Sequence, residues 1–154
     1  MKRLIASFLG SGLVLSKLRN SDTGSGTLGG GMSLALSLAL HGVGLWAQAT
    51  GLLLILAAAA WSVPPFALDK GDPGWVVIDE AAGTMVATLG VGGWAAVAGF
   101  AAFRAADIFK RFFPGVAAAE RRGGAVGVIG DDIVAGFYGL AFAWLVRAFL
   151  GGNA

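Results

Sequence analysis

The sequence predicts an all-α protein, a compact bundle of about five to six helices, largely membrane-embedded, whose cytoplasmic-side loops form a site. Two observations carry this. Hydrophobic residues make up 56% of the 154-residue chain and charged residues only 13%, against about 45–50% and about 25% in soluble domains. Three long apolar blocks, 28–61, 81–106 and 133–150, are separated by short charged or glycine-rich stretches. Cysteine is absent, which excludes a disulfide framework, a thiolate nucleophile and a cysteine-based zinc site.

The start, MKRLIASFLGSGLVLSKLRN, is basic and then apolar, but Lys17 and Arg19 stand where a signal peptide would place a small-residue cleavage site. A retained surface helix over 1–20 is expected. The block 28–61 exceeds the length of one span of about 20 residues and is interrupted by HGVG at 41–44, which predicts a hairpin of helices 28–41 and 45–61. The second block is either one tilted span or a hairpin bent at GVGG, 90–93. The last block is one span of about 18 residues, enough for a hydrocarbon core of about 30 Å.

Charge decides the second block, because basic residues mark the cytoplasmic side of short loops. With two hairpins, all basic residues except Arg147 fall on one side, and so do all nine acidic residues: Asp22, Asp69, Asp72, Asp79, Glu80, Asp107, Glu120, Asp131 and Asp132. The expectation is a single helical membrane domain over 1–154, with a surface helix at 1–20, hairpins at 28–61 and 80–106, and a final span at 132–150. Its N-terminus lies inside and its C-terminus outside. Small residues four apart, Ala95 with Gly99 and Ala135 with Gly139, allow close helix approach. A homo-oligomer is compatible with such faces.

Two acidic pairs stand where apolar helices begin. Asp79 and Glu80 lie in GWVVIDEAAGTMVATLG with no basic residue within eight positions, and Asp131 and Asp132 lie in GDDIVAGFYG. Helix capping accounts for one carboxylate of each pair. Two pairs entering from the same side also fit a shared cation, and hard oxygens at a partly hydrated site suit Mg²⁺. In FRAADIFK, Arg104, Asp107 and Lys110 share a helix face at spacings of three. They read either as ion pairs finishing a membrane helix or as a further ligand, Asp107, flanked by phosphate donors Arg104 and Lys110. Arg121 and Arg122 meet a phosphate or anionic headgroups. The stretch SDTGSGTLGGG lacks the lysine of a Walker loop and reads as a linker or a phosphate cradle. His41, the sole histidine, excludes a two-histidine phosphotransfer and reads as a turn residue. Trp46, Trp61, Trp75, Trp94 and Trp144 read as interface anchors.

The series DPGWVVIDEAAG, AGFAAFRAADIFK and GGAVGVIGDDIVAG resembles the phosphatidylglycerophosphatase A family of bacterial inner-membrane phospholipid phosphatases. The family's pattern is an Asp-Glu pair followed by Gly, a Phe-Arg-x-x-Asp-x-x-Lys segment, and a Gly-rich turn leading into Asp-Asp-x-x-Ala-Gly. All three stand here in order over residues 72–140. Upstream, GSGL at 10–13 and Gly26-Thr27-Leu28-Gly29 are similar to further family elements. The sequence departs from the family after Lys110, where RFFP replaces Pro-x-Pro, and at Glu120-Arg121, where Asp-Arg is usual. The resemblance implies an all-helical phosphoric monoester hydrolase that uses Mg²⁺ to convert phosphatidylglycerophosphate to phosphatidylglycerol and phosphate at the cytoplasmic leaflet. The residues themselves supply a compatible mechanism, in which Asp79, Glu80, Asp131 and Asp132, joined by Asp107, hold the metal. Catalytic roles fall to Asp79, Glu80, Asp107, Lys110 and Arg104, and contacts to substrate come from Arg104, Lys110, Thr27 and Arg121. A small membrane transporter or ion-binding channel using the same carboxylates is the competing reading; it expects charges at mid-helix depth, where only Arg147 comes near. The spaced Asp-Gly-x-x-Ala-Arg signature of cytidine-diphosphate alcohol transferases is absent.

Overall fold

The computed structural model describes residues 1–14, 24–67 and 73–151, and within these every regular element is helical. Helix α1, Lys2–Ala6, is short. Phe8 and Leu9 adopt left-handed backbone angles (φ 44° and 59°) ahead of Gly10, a conformation that costs L-residues energy. Burial of Phe8 beside Ala6 in the main apolar core offsets it. This break corrects the expectation of a continuous surface helix over 1–20. Residues 11–14 are helical again, and Lys17, Arg19, Asp22, Asp69, Lys70 and Asp72 lie outside the described residues.

Helices α2, Ser25–Val43, and α3, Leu45–Ser62, form a hairpin that reverses at Gly44, whose φ of 136° is open to glycine alone. Helix α4, Ile78–Ala87, is the centre of the molecule: nine of its ten residues are buried, a composition of small and apolar side chains that leaves no face for solvent. A turn over 88–92 leads into α5, Gly93–Ile108. A 3₁₀ turn at Lys110–Phe112 and the five-residue α6, Val116–Glu120, follow.

Helix α7, Gly124–Phe149, has 26 residues and a length of about 39 Å. It begins eight residues before the expected start at 132. Its early glycines read as a turn, but Ala125, Val128 and Ile129 pack against the core around Val63, Ala67 and Val76, and that packing overrides weak helix propensity. Asp131 and Asp132 therefore stand inside a helix, where neither can serve as its N-cap.

Small residues set the spacing of α4, α5 and α7. A Cβ on Gly136 would lie 2.7 Å from the Gly83 carbonyl oxygen, and one on Gly139 would lie 2.6 Å from that of Gly99; side chains there would force the helices apart. The outer surface is apolar, with Leu53, Leu54, Phe137, Phe142 and Leu145 all exposed. Among the described residues two helices, α3 and α7, are long and apolar enough to cross a membrane.

Candidate metal and phosphate site

The site forms where the first turn of α4 meets the middle of α7. The chain enters α4 held by α1, since the amide of Val77 donates to the Ala6 carbonyl at 3.0 Å. Asp79 and Glu80 then occupy the first turn, where the positive end of the helix dipole favours carboxylates. Asp79 is buried, and so is Asp132 on α7. Carboxylate oxygens of Asp79, Glu80 and Asp132 all lie within 4.8 Å of one another. Gly83 makes this possible, because a Cβ there would come within 2.8 Å of the Asp132 carbonyl oxygen. The glycine that follows the acidic pair in IDEAAG thus seats α7 against α4 one turn from the acids.

Three carboxylates this close repel one another unless a cation lies among them or protons are shared. Their donors are all hard oxygens, the set that hard divalent cations prefer. Glu80 Oε2 is buried without a hydrogen-bond partner, which leaves a strong acceptor on one of the clustered carboxylates with no donor from the protein to satisfy it. The residues present fit a divalent metal ion.

The two acidic pairs are used differently. In each, the first aspartate accepts the backbone amide of the next residue: Asp79 Oδ1 from Glu80 at 3.1 Å, and Asp131 Oδ1 from Asp132 at 3.0 Å. Adjacent residues on a helix point about 100° apart, so when Asp132 faces α4 its neighbour must face elsewhere. Asp131 Oδ2 accepts from Lys110 Nζ at 2.9 Å, and the same ammonium donates to Glu120 Oε1 at 2.7 Å. Burial lowers the affinity of Lys110 for its proton, but the two carboxylates outweigh burial and hold its pKa above the ordinary lysine value. Lys110 is a fixed cation held by Asp131 and Glu120.

Arg104 supplies a second. Its Nη1 lies 2.8 Å from Asp107 Oδ2, with both side chains mostly buried. The contact is ionic without hydrogen-bond alignment, and Arg104 Nε and Nη1 are buried without hydrogen-bond partners. Arg104 and Asp107 both act electrostatically on Glu80 and Asp132. Gly26 on α2 closes this side: a Cβ there would overlap Glu80 Oε1 and lie 3.1 Å from Arg104 Nη2.

The sequence-derived residues are therefore divided. Asp79, Glu80 and Asp132 form the oxygen cluster, with Arg104 and Asp107 beside it. Asp131 lies outside the cluster, paired with Lys110. Thr27 and Arg121 are exposed, outside this buried group. Thr84, which shares a helix face with Glu80, donates its hydroxyl back to the Glu80 carbonyl at 2.8 Å. Two participants were missed from sequence. Gly26 carried a signal, since it stands next to Thr27 in the glycine-rich element; Glu120 reaches Lys110 across a turn with no helical spacing to reveal it.

The sequence model of the family described as phosphatidylglycerophosphatase A matches residues 4–147, nearly the whole chain. The chain belongs to the phosphatidylglycerophosphatase A family. A relative from Bacteroides thetaiotaomicron, named "Putative phosphatidylinositol-3-phosphatase", is 34% identical over 113 residues, covering 70% of this chain and 70% of the relative. No solved structure matches the chain. Membership of the phosphatidylglycerophosphatase A family and the phosphatase name of that relative support a lipid phosphatase, and the two long apolar helices suit a substrate that resides in a membrane.

Proposed function

We propose that this member of the phosphatidylglycerophosphatase A family hydrolyses the terminal phosphate of phosphatidylglycerophosphate, with Mg²⁺ held by Asp79, Glu80 and Asp132. One observation carries the reading: three carboxylates from α4 and α7 lie within 4.8 Å of one another beside an arginine whose buried Nε has no hydrogen-bond partner. That is a cation site and an anion site side by side, the pairing a phosphate monoester requires.

The chemistry a divalent cation supplies when bound there is polarisation of the phosphoryl oxygens and a lower pKa for a water nucleophile. The protein's own groups do the rest. Arg104 offers its Nε to the phosphoryl oxygens, and Asp107, ion-paired with Nη1 at 2.8 Å, fixes the direction of the guanidinium. Lys110, held between Asp131 and Glu120, has one remaining N–H to direct at the phosphate. Both cations are already in place when charge develops on the equatorial oxygens, so little reorganisation is needed. Thr27 and Arg121 meet the substrate outside the buried group. The proposed topology, a single domain of two hairpins and a final span, opens the site to the cytoplasmic leaflet of the bacterial inner membrane. Reporter tags at 42, 92 and 118 test it; tags at 42 and 118 on the same side refute it.

The decisive experiment is phosphate release by purified protein from phosphatidylglycerophosphate, with Mg²⁺ and then with chelator. Phosphatidylinositol 3-phosphate runs in parallel, because the Bacteroides relative carries that activity in its name. Metal-dependent release from phosphatidylglycerophosphate supports the proposal. Release unaffected by chelator removes the metal role, and faster release from the inositol lipid reassigns the substrate.

A further inference from the structure

The turn after α5 presents an unusual combination of rigid anchoring and apolar exposure. Ile108, Phe109 and Phe112 are 60%, 54% and 65% exposed. Two attachments hold the turn from behind. Lys110 is drawn inward to Asp131. The Phe113 ring packs edge-on against Tyr138 with centroids 5.1 Å apart, and the Tyr138 hydroxyl donates to the Pro114 carbonyl at 2.8 Å. Residues three apart eclipse in a 3₁₀ turn, so Phe109 and Phe112, bridged by a backbone hydrogen bond of 2.9 Å, project from one side while Lys110 leaves from another.

One arginine is placed on these rings, and two more are exposed further along the chain. The Arg111 guanidinium lies over the Phe112 ring at 4.6 Å, and Arg121 and Arg122 are exposed on the following turn. The nearby acid, Glu120, is engaged by Lys110. Exposed rings interleaved with arginines match segments that lie at the boundary of acyl chains and anionic headgroups, and snorkelling stems keep the charge at headgroup level.

We propose that residues 108–112 form an interfacial wedge, in which Phe109 and Phe112 enter the anionic leaflet beside the carboxylate cluster while Arg111, Arg121 and Arg122 meet its phosphate groups. The proposal rests on the phosphatase reading only for its purpose, which is to set the leaflet's phosphates at the depth of Lys110. A second protein fits the surface less well, because the exposed arginines Arg111, Arg121 and Arg122 outnumber the exposed acid Glu120, which Lys110 already engages, and leave the net positive charge that an anionic headgroup layer attracts.

The chain has no cysteine, so Phe112→Cys and Phe109→Cys each give a single labelling site. In the full chain reconstituted into bilayers containing anionic lipid, a nitroxide at either position is expected to be more accessible to oxygen than to a water-soluble nickel chelate, and to lie shallower in purely zwitterionic bilayers. Greater accessibility to the nickel chelate at both positions overturns the wedge. Shielding from both reagents overturns it too, since it means that protein covers the patch. These readouts are independent of turnover. With turnover established, Phe109→Ser combined with Phe112→Ser is expected to raise KM severalfold for bilayer substrate and leave kcat on a dispersed short-chain substrate unchanged; equal loss on both substrates overturns the proposal.

Discussion

The two ends of α4 both bury polar groups inside an apolar bundle, and they do so in opposite ways. At its C-terminal end Gln48, fully buried, accepts from the Gly90 amide at 2.9 Å through Oε1 and donates through Nε2 to Ser37 Oγ and the Thr88 carbonyl, each at 3.1 Å. Ser37 and Thr88 hydroxyls meet at 2.7 Å. Trp144 Nε1 donates to the Leu89 carbonyl at 3.2 Å and Arg147 Nη1 to that of Gly90 at 2.6 Å. Arg147, the exception to the charge asymmetry, thus closes the α4–α5 turn. At the N-terminal end the groups are charged, and Glu80 Oε2 with two Arg104 nitrogens has no hydrogen-bond partner; at the other end the exception is one imidazole nitrogen, His41 Nδ1. A polar cluster that completes its own hydrogen bonds is a structural pin. One that leaves charges open is able to take partners that are not part of the chain.

The contrast breaks first at the open end. Asp132→Asn is expected to lower phosphate release by about 10³-fold, since several kcal/mol of transition-state stabilisation depend on the metal, while circular dichroism and thermal unfolding stay close to the parent. Wild-type turnover in this variant removes Asp132 from the site. Next comes Gly26→Ala, whose new methyl displaces Glu80; a shift of about 1 Å there lowers turnover by about 10²-fold. Gly31→Ala on the same helix meets open space and serves as the control, with turnover unchanged. The closed end gives the smallest change in rate. Gln48→Leu leaves the Gly90 amide and the Ser37–Thr88 pair without their partner and is expected to cost about 2 kcal/mol of stability, read as a lower unfolding midpoint, with kcat within about twofold of the parent. A loss of kcat comparable to that of Asp132→Asn would erase the distinction between the two ends.

Much of this was legible in the sequence, for identifiable reasons. Composition and block length report directly on burial in a bundle, so the all-helical class and the reversal at HGVG could be read. The acidic pairs were visible because a carboxylate beside an apolar run is costly to keep unless it caps a helix or meets a cation. What stayed hidden depended on tertiary contacts. The early start of α7 rests on packing against Val63 and Ala67, which glycine-rich local sequence masks. The separation of Asp131 from Asp132 follows from helical geometry once that start is known. The break at Phe8–Leu9 opposes local preference and survives through burial. Glu120 and Gly26 join the site across distances that no spacing rule encodes.

Helix α4 has almost no surface of its own, and it carries two of the three clustered acids. Its amides can exchange with solvent only when the helices around it separate, so they should be among the slowest in the molecule. Thermal inactivation of such an enzyme would coincide with its global melting and not precede it.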